Sequence, residues 1–145
     1  MFVTQILKSK ATTGVLTIDP NASVADAVAE LGARKIGALV VSTDGRRTAG
    51  ILSERDVVRE LGRAGQTVLD RIVADLMTTD VQVCAPGDDA QAILERMTEG
   101  RFRHMPVEED GLLVGMISLG DVVKARLSEV SMEKDALQAM IAGHG

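Results

Sequence analysis

Two stretches of the chain decide its fold: Gly50-Ile51-Leu52-Ser53-Glu54-Arg55-Asp56-Val57-Val58 and Gly115-Met116-Ile117-Ser118-Leu119-Gly120-Asp121-Val122-Val123. Each is typical of an apolar strand that ends at a serine, followed at once by a helix whose third residue is an aspartate. The two stretches share a glycine, a serine, an aspartate and two valines at the same relative positions. This agreement indicates an internal repeat rather than an isolated motif.

The repeat continues upstream of these stretches. Pro20 and Pro86 lie 66 positions apart, and after each the apolar residues recur with helical spacing. Ser23 and Asp89 stand where the N-caps of these two helices are expected. Both copies then carry an apolar segment and an Asp-Gly turn dipeptide. Each unit is therefore predicted to run strand, helix, strand, turn, strand, helix.

The predicted elements follow from this alignment. In the first unit we expect strands at 15–18, 38–43 and 47–52, and helices at 23–35 and 54–63. In the second unit we expect strands at 81–84, 104–108 and 112–117, and helices at 89–99 and from residue 119 onward. The segment before Val15 carries a four-residue insertion relative to the second copy. We divide the chain into repeat 1 at 1–65, repeat 2 at 66–128 and a helical extension at 129–145.

Composition excludes several classes of protein. The chain has 145 residues and a net charge of −5, and its aromatic residues are Phe2 and Phe102, so a nucleic-acid-binding surface is not expected. Cys84 is the single cysteine, which rules out an internal disulfide bond. No apolar run reaches the length of a membrane span, and the first residues do not follow the plan of a signal peptide. We expect a cytoplasmic protein without membrane contact.

The order of elements and the doubled Gly-x-x-Ser-x-x-Asp motif resemble the CBS domain pair, or Bateman module, in its free-standing form. The resemblance covers nearly the whole chain. It implies a mixed α/β fold in which two repeats pack about a pseudo-two-fold axis, with small mixed sheets flanked by helices and, here, a long C-terminal helix. It also implies two clefts between the repeats, binding of adenosine-containing ligands, and assembly as a homodimer.

The serine and aspartate of each motif suit a nucleotide. A helix N-terminus carries unpaired N–H groups and partial positive charge, which favour phosphate, and a carboxylate accepts hydrogen bonds from a ribose diol. In the family the aspartate reaches the ribose, so Asp56 and Asp121 are the candidate ribose ligands and Ser53 and Ser118 approach phosphate. A capping box explains the same residues by helix stability alone. For a lone copy we would favour that explanation, and two copies within this module favour ligand contact.

The resemblance also assigns an adenine slot, formed by the first strand of a repeat and the entry to its second strand. The corresponding candidates are Lys8, Val15, Leu16, Thr17, Ile36, Gly37 and Ala38 in the first copy, and Thr78, Val81, Gln82, Val83 and Phe102 in the second. Most of these could equally be core residues. Arg55, Arg103 and His104 are candidate phosphate ligands, whereas for Arg101 we favour a solvated face. These cations favour AMP first, then ATP or NAD, over cationic S-adenosylmethionine.

Catalysis and metal binding are not expected. The chain has no Walker loop, no nucleophile paired with a base and no zinc signature, and Cys84 lies in a predicted strand as a buried apolar residue. The preferred function is a regulatory sensor of energy or redox state that signals to a partner protein. The alternatives are a ligand-free interaction scaffold and an enzyme that uses the nucleotide as substrate. The long last helix carries apolar residues beyond one module's needs, for which we prefer dimerisation over a contact with the regulated protein.

Overall fold

The structure is a computed structural model that describes residues 1–10 and 15–144. The insertion expected before Val15, at 11–14, lies outside the described residues, as does Gly145. In chain order the elements are α1 (Val3–Ser9), β1 (Thr17–Ile18), α2 (Val24–Arg34), β2 (Ala38–Val41), β3 (Gly50–Ser53), α3 (Glu54–Ala64), a 3₁₀ helix (Gly65–Asp70), α4 (Val73–Leu76), α5 (Ala90–Gly100), β4 (His104–Glu109), β5 (Leu112–Ser118) and α6 (Leu119–His144).

Side-chain caps set the helix starts that the sequence predicts. Ser23 and Asp89 cap α2 and α5 by accepting from backbone N–H groups of the first turn. Both helices end in a residue of left-handed backbone conformation, Lys35 and Arg101, at the same relative position of the two repeats. This shared ending turns the chain directly into the second strand of each repeat.

Both sheets are small, and the first of them is mixed. In the first repeat β1 runs parallel to β2, and β2 pairs antiparallel with β3. In the second repeat β4 and β5 form an antiparallel pair with a register shift after Val107. The strand expected at 81–84 is reduced to one parallel bridge between Cys84 and Val107. Just before that bridge, the Val83 carbonyl accepts a hydrogen bond from the Arg96 guanidinium at 2.9 Å.

Each repeat has its own apolar core, and the segments that precede the repeats are exchanged between them. Val3 and Ile6 of α1 are buried in the core of the second repeat, together with Met105 and Ile117. Val73 and Leu76 of α4 are buried in the core of the first repeat. Each repeat thus completes the other's core, and the expectation of a mixed α/β fold with a long C-terminal helix is confirmed.

Helix α6 is the longest element, with 26 residues. Val122 and Ala125 bury its first turns in the second core. Every residue from 131 to 143 is exposed. Among the described residues, no helix has the length and apolar character that crossing a membrane requires.

Candidate functional site

Two clefts lie where the repeats meet. The repeats are joined there by reciprocal backbone hydrogen bonds of 2.9 Å between Ile51 and Thr78, and by a bond from Leu113 N–H to the Arg46 carbonyl. The first cleft holds a cavity of about 430 Å³ and the second one of about 630 Å³, both within the ~300–1,000 Å³ of typical ligand pockets.

The first cleft combines the serine–aspartate motif of repeat 1 with the adenine candidates of repeat 2. Its lining is Gly37, Ile51, Ser53, Glu54, Arg55, Asp56, Arg59, Thr78, Asp80, Val81, Gln82, Gly100, Arg101, Phe102, Arg103 and His104. The structure therefore brings together, across the repeat boundary, ten of the predicted site residues: Gly37, Ser53, Arg55, Asp56, Thr78, Val81, Gln82, Phe102, Arg103 and His104.

Hydrogen bonds hold the Asp56 side chain at the N-terminus of helix α3. Its Oδ2 accepts from the Ser53 N–H at 2.9 Å and from the Ser53 hydroxyl at 3.1 Å, and the Asp56 N–H donates back to Ser53 Oγ. Its Oδ1 accepts from Arg59 Nη2 at 3.0 Å. The capping box is thus present, and it fixes the carboxylate at the cavity wall. Because a carboxylate oxygen has two lone pairs, capping leaves acceptor capacity for a further donor.

Positive charge gathers around this cavity. Four arginines line it, namely Arg55, Arg59, Arg101 and Arg103, against the three acids Glu54, Asp56 and Asp80. Arg101, which we expected on a solvated face, is exposed and also contributes to the lining. The excess of cations stands out in a chain of net charge −5 and suits an anion.

His104 stands between the two clefts. A side chain at Gly37 would meet its ring at 3.1 Å, so the imidazole packs against the Gly37 backbone. Desolvation lowers the pKa of His104 below its ordinary value; Glu54 and Asp121 oppose the shift, and Lys10 and Arg103 reinforce it. The ring is therefore mostly neutral at pH 7 and contributes a hydrogen bond rather than charge.

The second cleft carries a different set of residues. Its lining is Thr4, Leu7, Lys8, Lys10, Val15, Leu16, Arg34, Ile36, Val114, Gly115 and Met116. Four of these are predicted adenine-slot residues: Lys8, Val15, Leu16 and Ile36. Among the residues that the structure describes, the lining contains three cations, no carboxylate and many aliphatic side chains.

Asp121 lies beside this second cavity and forms an ion pair with Lys10. Its Oδ2 accepts from the Ser118 N–H at 2.9 Å and from Lys10 Nζ at 2.9 Å. Burial raises the pKa of Asp121, but the hydrogen bonds from Ser118 and Lys10 lower it more, so the pKa lies below its usual range. The group is a carboxylate at neutral pH.

Some predicted residues lie outside both cavity linings. These are Thr17, Ala38, Val83, Ser118 and Asp121. Ala38 is fully buried in β2. Conversely, the sequence reasoning did not single out Arg59, Asp80, Lys10 or Arg34. A signal for Lys10 and Asp80 existed, because the match of Ile6-Leu7-Lys8 with Leu76-Met77-Thr78 places these two residues at equivalent positions.

Cys84 is the single cysteine of the chain. Cys84 is buried, and desolvation raises the pKa of its thiol to about 12, so it is a weak nucleophile at neutral pH. Within 1–10 and 15–144, no group of three or more His, Cys, Asp or Glu side chains could hold a metal ion.

Comparison with known proteins agrees with the doubled architecture. The family model described as the CBS domain matches twice, at residues 3–63 and 73–128. The "CBS domain-containing protein CBSX3, mitochondrial" of Arabidopsis thaliana is 33% identical over 148 residues, covering 97% of this chain and 72% of that protein.

Solved structures give the same result. The CBS-domain-containing protein ATU1752 of Agrobacterium tumefaciens superposes with a TM-score of 0.82 at 43% identity, over 87% of this chain and 99% of its own. CBSX2, crystallised in complex with AMP, superposes with a TM-score of 0.70 at 28% identity, over 88% of this chain and 96% of its own. With two matched CBS domains spanning most of its length, this chain belongs to the CBS domain family as a tandem CBS pair.

Proposed function

We propose that this CBS pair is a regulatory module that binds an adenine nucleotide, AMP before ATP or NAD, in the first cleft. One observation carries the proposal: a single cavity joins a fixed carboxylate, an apolar slot and an excess of arginine. These are the three parts that a ribose, an adenine and a phosphate require.

Asp56 is the proposed ribose ligand. Ser53 holds its Oδ2 through two hydrogen bonds, so the carboxylate does not have to be ordered when a ligand arrives. One ribose hydroxyl would donate to the lone pair that remains on Oδ1, and the second hydroxyl would take the place of Arg59 on the same oxygen. Arg59 has a side chain that is 59% exposed, so it can turn into solvent when a ribose hydroxyl replaces its bond to Oδ1 and keeps the buried carboxylate hydrogen-bonded.

The phosphate is proposed to lie toward Arg55, Arg101 and Arg103. Arg guanidinium groups form bidentate bonds with phosphate, and the N-terminus of α3 adds partial positive charge beside them. His104 is mostly neutral at pH 7 and would add one hydrogen bond. This surrounding favours an anionic nucleotide over the cationic S-adenosylmethionine.

The adenine is proposed to lie between Val81 and Phe102, with backbone groups near Thr78 and Gly37 facing its edge. Apolar side chains exclude water from the base, and main-chain groups can read its rim without a special side chain. The crystal structure of CBSX2, a protein 28% identical to this chain, in complex with AMP supports a nucleotide as the ligand class.

A decisive measurement is isothermal titration calorimetry with AMP for the wild type, Asp56→Ala and Asp26→Ala. Loss of one or two charge-assisted hydrogen bonds, ~1.5–3 kcal/mol each, should weaken AMP binding about tenfold or more in Asp56→Ala. Asp26 is the matched control, because it is also the third residue of a helix capped by serine and it lines neither cavity. Asp26→Ala should bind AMP as the wild type does.

The outcomes separate the candidate functions. Unchanged affinity in a folded Asp56→Ala variant would refute the ribose assignment. A thermal-shift series with AMP, ATP, NAD, S-adenosylmethionine and GMP then identifies the ligand, since a ligand at 100 times its Kd adds about 2.7 kcal/mol of stability. No shift with any of them would favour the interaction scaffold, and turnover of ATP or NAD would indicate an enzyme.

The remaining parts of the hypothesis concern assembly. We propose a homodimer that signals to a regulated protein, with α6 as the dimer contact. A cytoplasmic location also stays a prediction.

A further inference from the structure

We infer that Lys10 closes the second nucleotide site, so that one chain binds one nucleotide, in the first cleft only. The inference rests on the proposed function and concerns its stoichiometry. Lys10 acts as a specificity-determining residue, because its side chain lines the second cavity and pairs with the Asp121 carboxylate, which does not belong to that lining.

The ammonium group of Lys10 has two hydrogen-bond acceptors. Its Nζ donates to Asp121 Oδ2 at 2.9 Å and to the Met116 carbonyl at 2.8 Å. The side chain is 28% exposed, and its partners lie more than 100 residues away along the chain. An ammonium group placed in this way satisfies the negative charge of Asp121 from within the molecule.

The shape of the cavity is consistent with this closure. Lys10 lines the second cavity, whereas Ser118 and Asp121 do not belong to its lining. In the first cleft the equivalent Ser53 and Asp56 both line the cavity. A ligand in the second cleft therefore meets Lys10 where a ligand in the first cleft meets its aspartate.

The cation beside Asp56 is held differently. Arg59 comes from the same helix, three residues on, and makes one hydrogen bond to Asp56 at 3.0 Å. Its side chain is 59% exposed, twice the exposure of Lys10, so it can turn into solvent. The position equivalent to Lys10 in the first cleft is Asp80, which cannot pair with a carboxylate.

Displacement of Lys10 carries a cost that the first cleft does not impose. From the second cavity, a ribose would reach Asp121 only after Lys10 had moved out of the cavity wall, which breaks its bond to Oδ2 and leaves the ammonium with the Met116 carbonyl as its remaining anchor. Removing one partner of a part-buried ion pair leaves the other without compensation. The two clefts are thus expected to differ strongly in nucleotide affinity.

The test is the number of AMP molecules bound per chain, measured by calorimetry on the full chain. We expect one for the wild type, two for Lys10→Met, and one again for Lys10→Met combined with Asp121→Ala. Lys124→Met is the control, because Lys124 is exposed on α6 and lines neither cavity. It should bind one AMP. Lys10→Gln, which retains a polar end, serves as the second variant should Lys10→Met fail to fold.

The outcomes distinguish this inference from the function beneath it. Two AMP molecules on the wild type, or a single site in both folded Lys10 variants, would overturn the closure by Lys10 and leave the nucleotide function standing. Loss of the wild-type site in the Lys10 variants would instead make Lys10 a ligand residue and would also overturn it. No AMP binding by any variant would refute the proposed function itself.

Discussion

At the scale of a single residue, His104 lines the first cleft and is also influenced by charged groups beside the second. Its ring packs on Gly37 at the first cleft, while the charges of Asp121 and Lys10, beside the second cleft, act on its protonation. Glu54 and Arg103 also face it, so four charged groups of opposing sign influence one imidazole. Desolvation outweighs their balance, and the folded protein keeps this histidine neutral where an exposed one would begin to protonate.

This neutral histidine makes stability depend on pH. The pKa of His104 is lower in the folded chain than the ~6.5 of an unperturbed histidine, so the unfolded chain binds the proton first as pH falls. The free energy of unfolding should therefore decrease from pH 7 toward the folded pKa, by at most about 1.4 kcal/mol per pH unit for one proton. Urea unfolding between pH 5 and 7.5 measures this slope.

The matched variants are His104→Gln and His144→Gln. The first removes the titrating group and should flatten the slope, and the second removes the chain's other histidine and should retain it. A slope that persists in His104→Gln would show that other groups cause the pH dependence. Asp121 has a lowered pKa, so its contribution is present above pH ~4 and is lost as pH falls further, outside this window.

At the scale of elements, the exchange of α1 and α4 depends on two glycines. A side chain at Gly50 would lie 2.7 Å from the Thr78 carbonyl oxygen, which belongs to the backbone bridge between the repeats. A side chain at Gly115, its counterpart, would lie 2.6 Å from the end of the Leu7 side chain. The first contact is with rigid backbone and the second with a flexible group.

We therefore expect Gly50→Ala to destabilise the protein more than Gly115→Ala. Overpacking against backbone should cost ~1–3 kcal/mol, because the Ile51–Thr78 bridge must shift, whereas Leu7 can change rotamer for less. Chemical denaturation of both variants gives the two free energies. Equal losses, or a larger loss in Gly115→Ala, would contradict the assignment of Gly50 as the close backbone contact.

The elements themselves were largely predictable, and their long-range partners were not. Ser23 and Asp89 indicate helix starts, because capping involves residues close in sequence. The alignment of the repeats predicts β2 and β3, which are also neighbours in sequence. The Lys10–Asp121 pair joins residues 111 positions apart, and no local pattern encodes that approach. The predicted strand at 81–84 was overestimated, because Cys84 joins the core and bridges to Val107, whereas Val81 lines the first cavity and does not pair with a neighbouring strand.

The residues of the clefts were likewise predictable from local sequence only in part. The repeat motif identified Ser53 and Asp56, and the resemblance identified the adenine segments, but neither determined which segment faces which aspartate. The crossing of repeat 1's motif with repeat 2's strand entry depends on how the two repeats pack, which is a tertiary property. Arg59 was overlooked for this reason, since the sequence of a surface arginine is the same whether or not a cavity lies beside it.

At the scale of the whole molecule, the exposed part of α6 carries a regular row of residues, which we call the seam. Five apolar or amphipathic positions recur at alternating spacings of three and four: Leu127, Val130, Lys134, Leu137 and Ile141. This is the a and d pattern of a coiled coil, with one lysine in the seam. The exposed part of α6, over 131–143, is about as short as the ~12–15 residues below which an unsupported helix is marginal in water, so we expect a partner to cover it. The regular heptad spacing fits a second copy of the same helix.

The last prediction is that the chain dimerises through this seam. Sedimentation equilibrium should give a mass twice the 15.4 kDa of one chain, and Leu127→Glu with Leu137→Glu should shift it to one chain, because each charge would be buried in the seam. Met132→Glu is the control. Met132 is 63% exposed, close to the 66% of Leu127, but it lies outside the seam. The Met132→Glu variant should therefore stay dimeric. Lys134→Leu should tighten the dimer by removing a charge from the seam. A wild type that remains monomeric at tens of micromolar would exclude the homodimer, and the stripe on α6 would then be the candidate contact for the regulated protein.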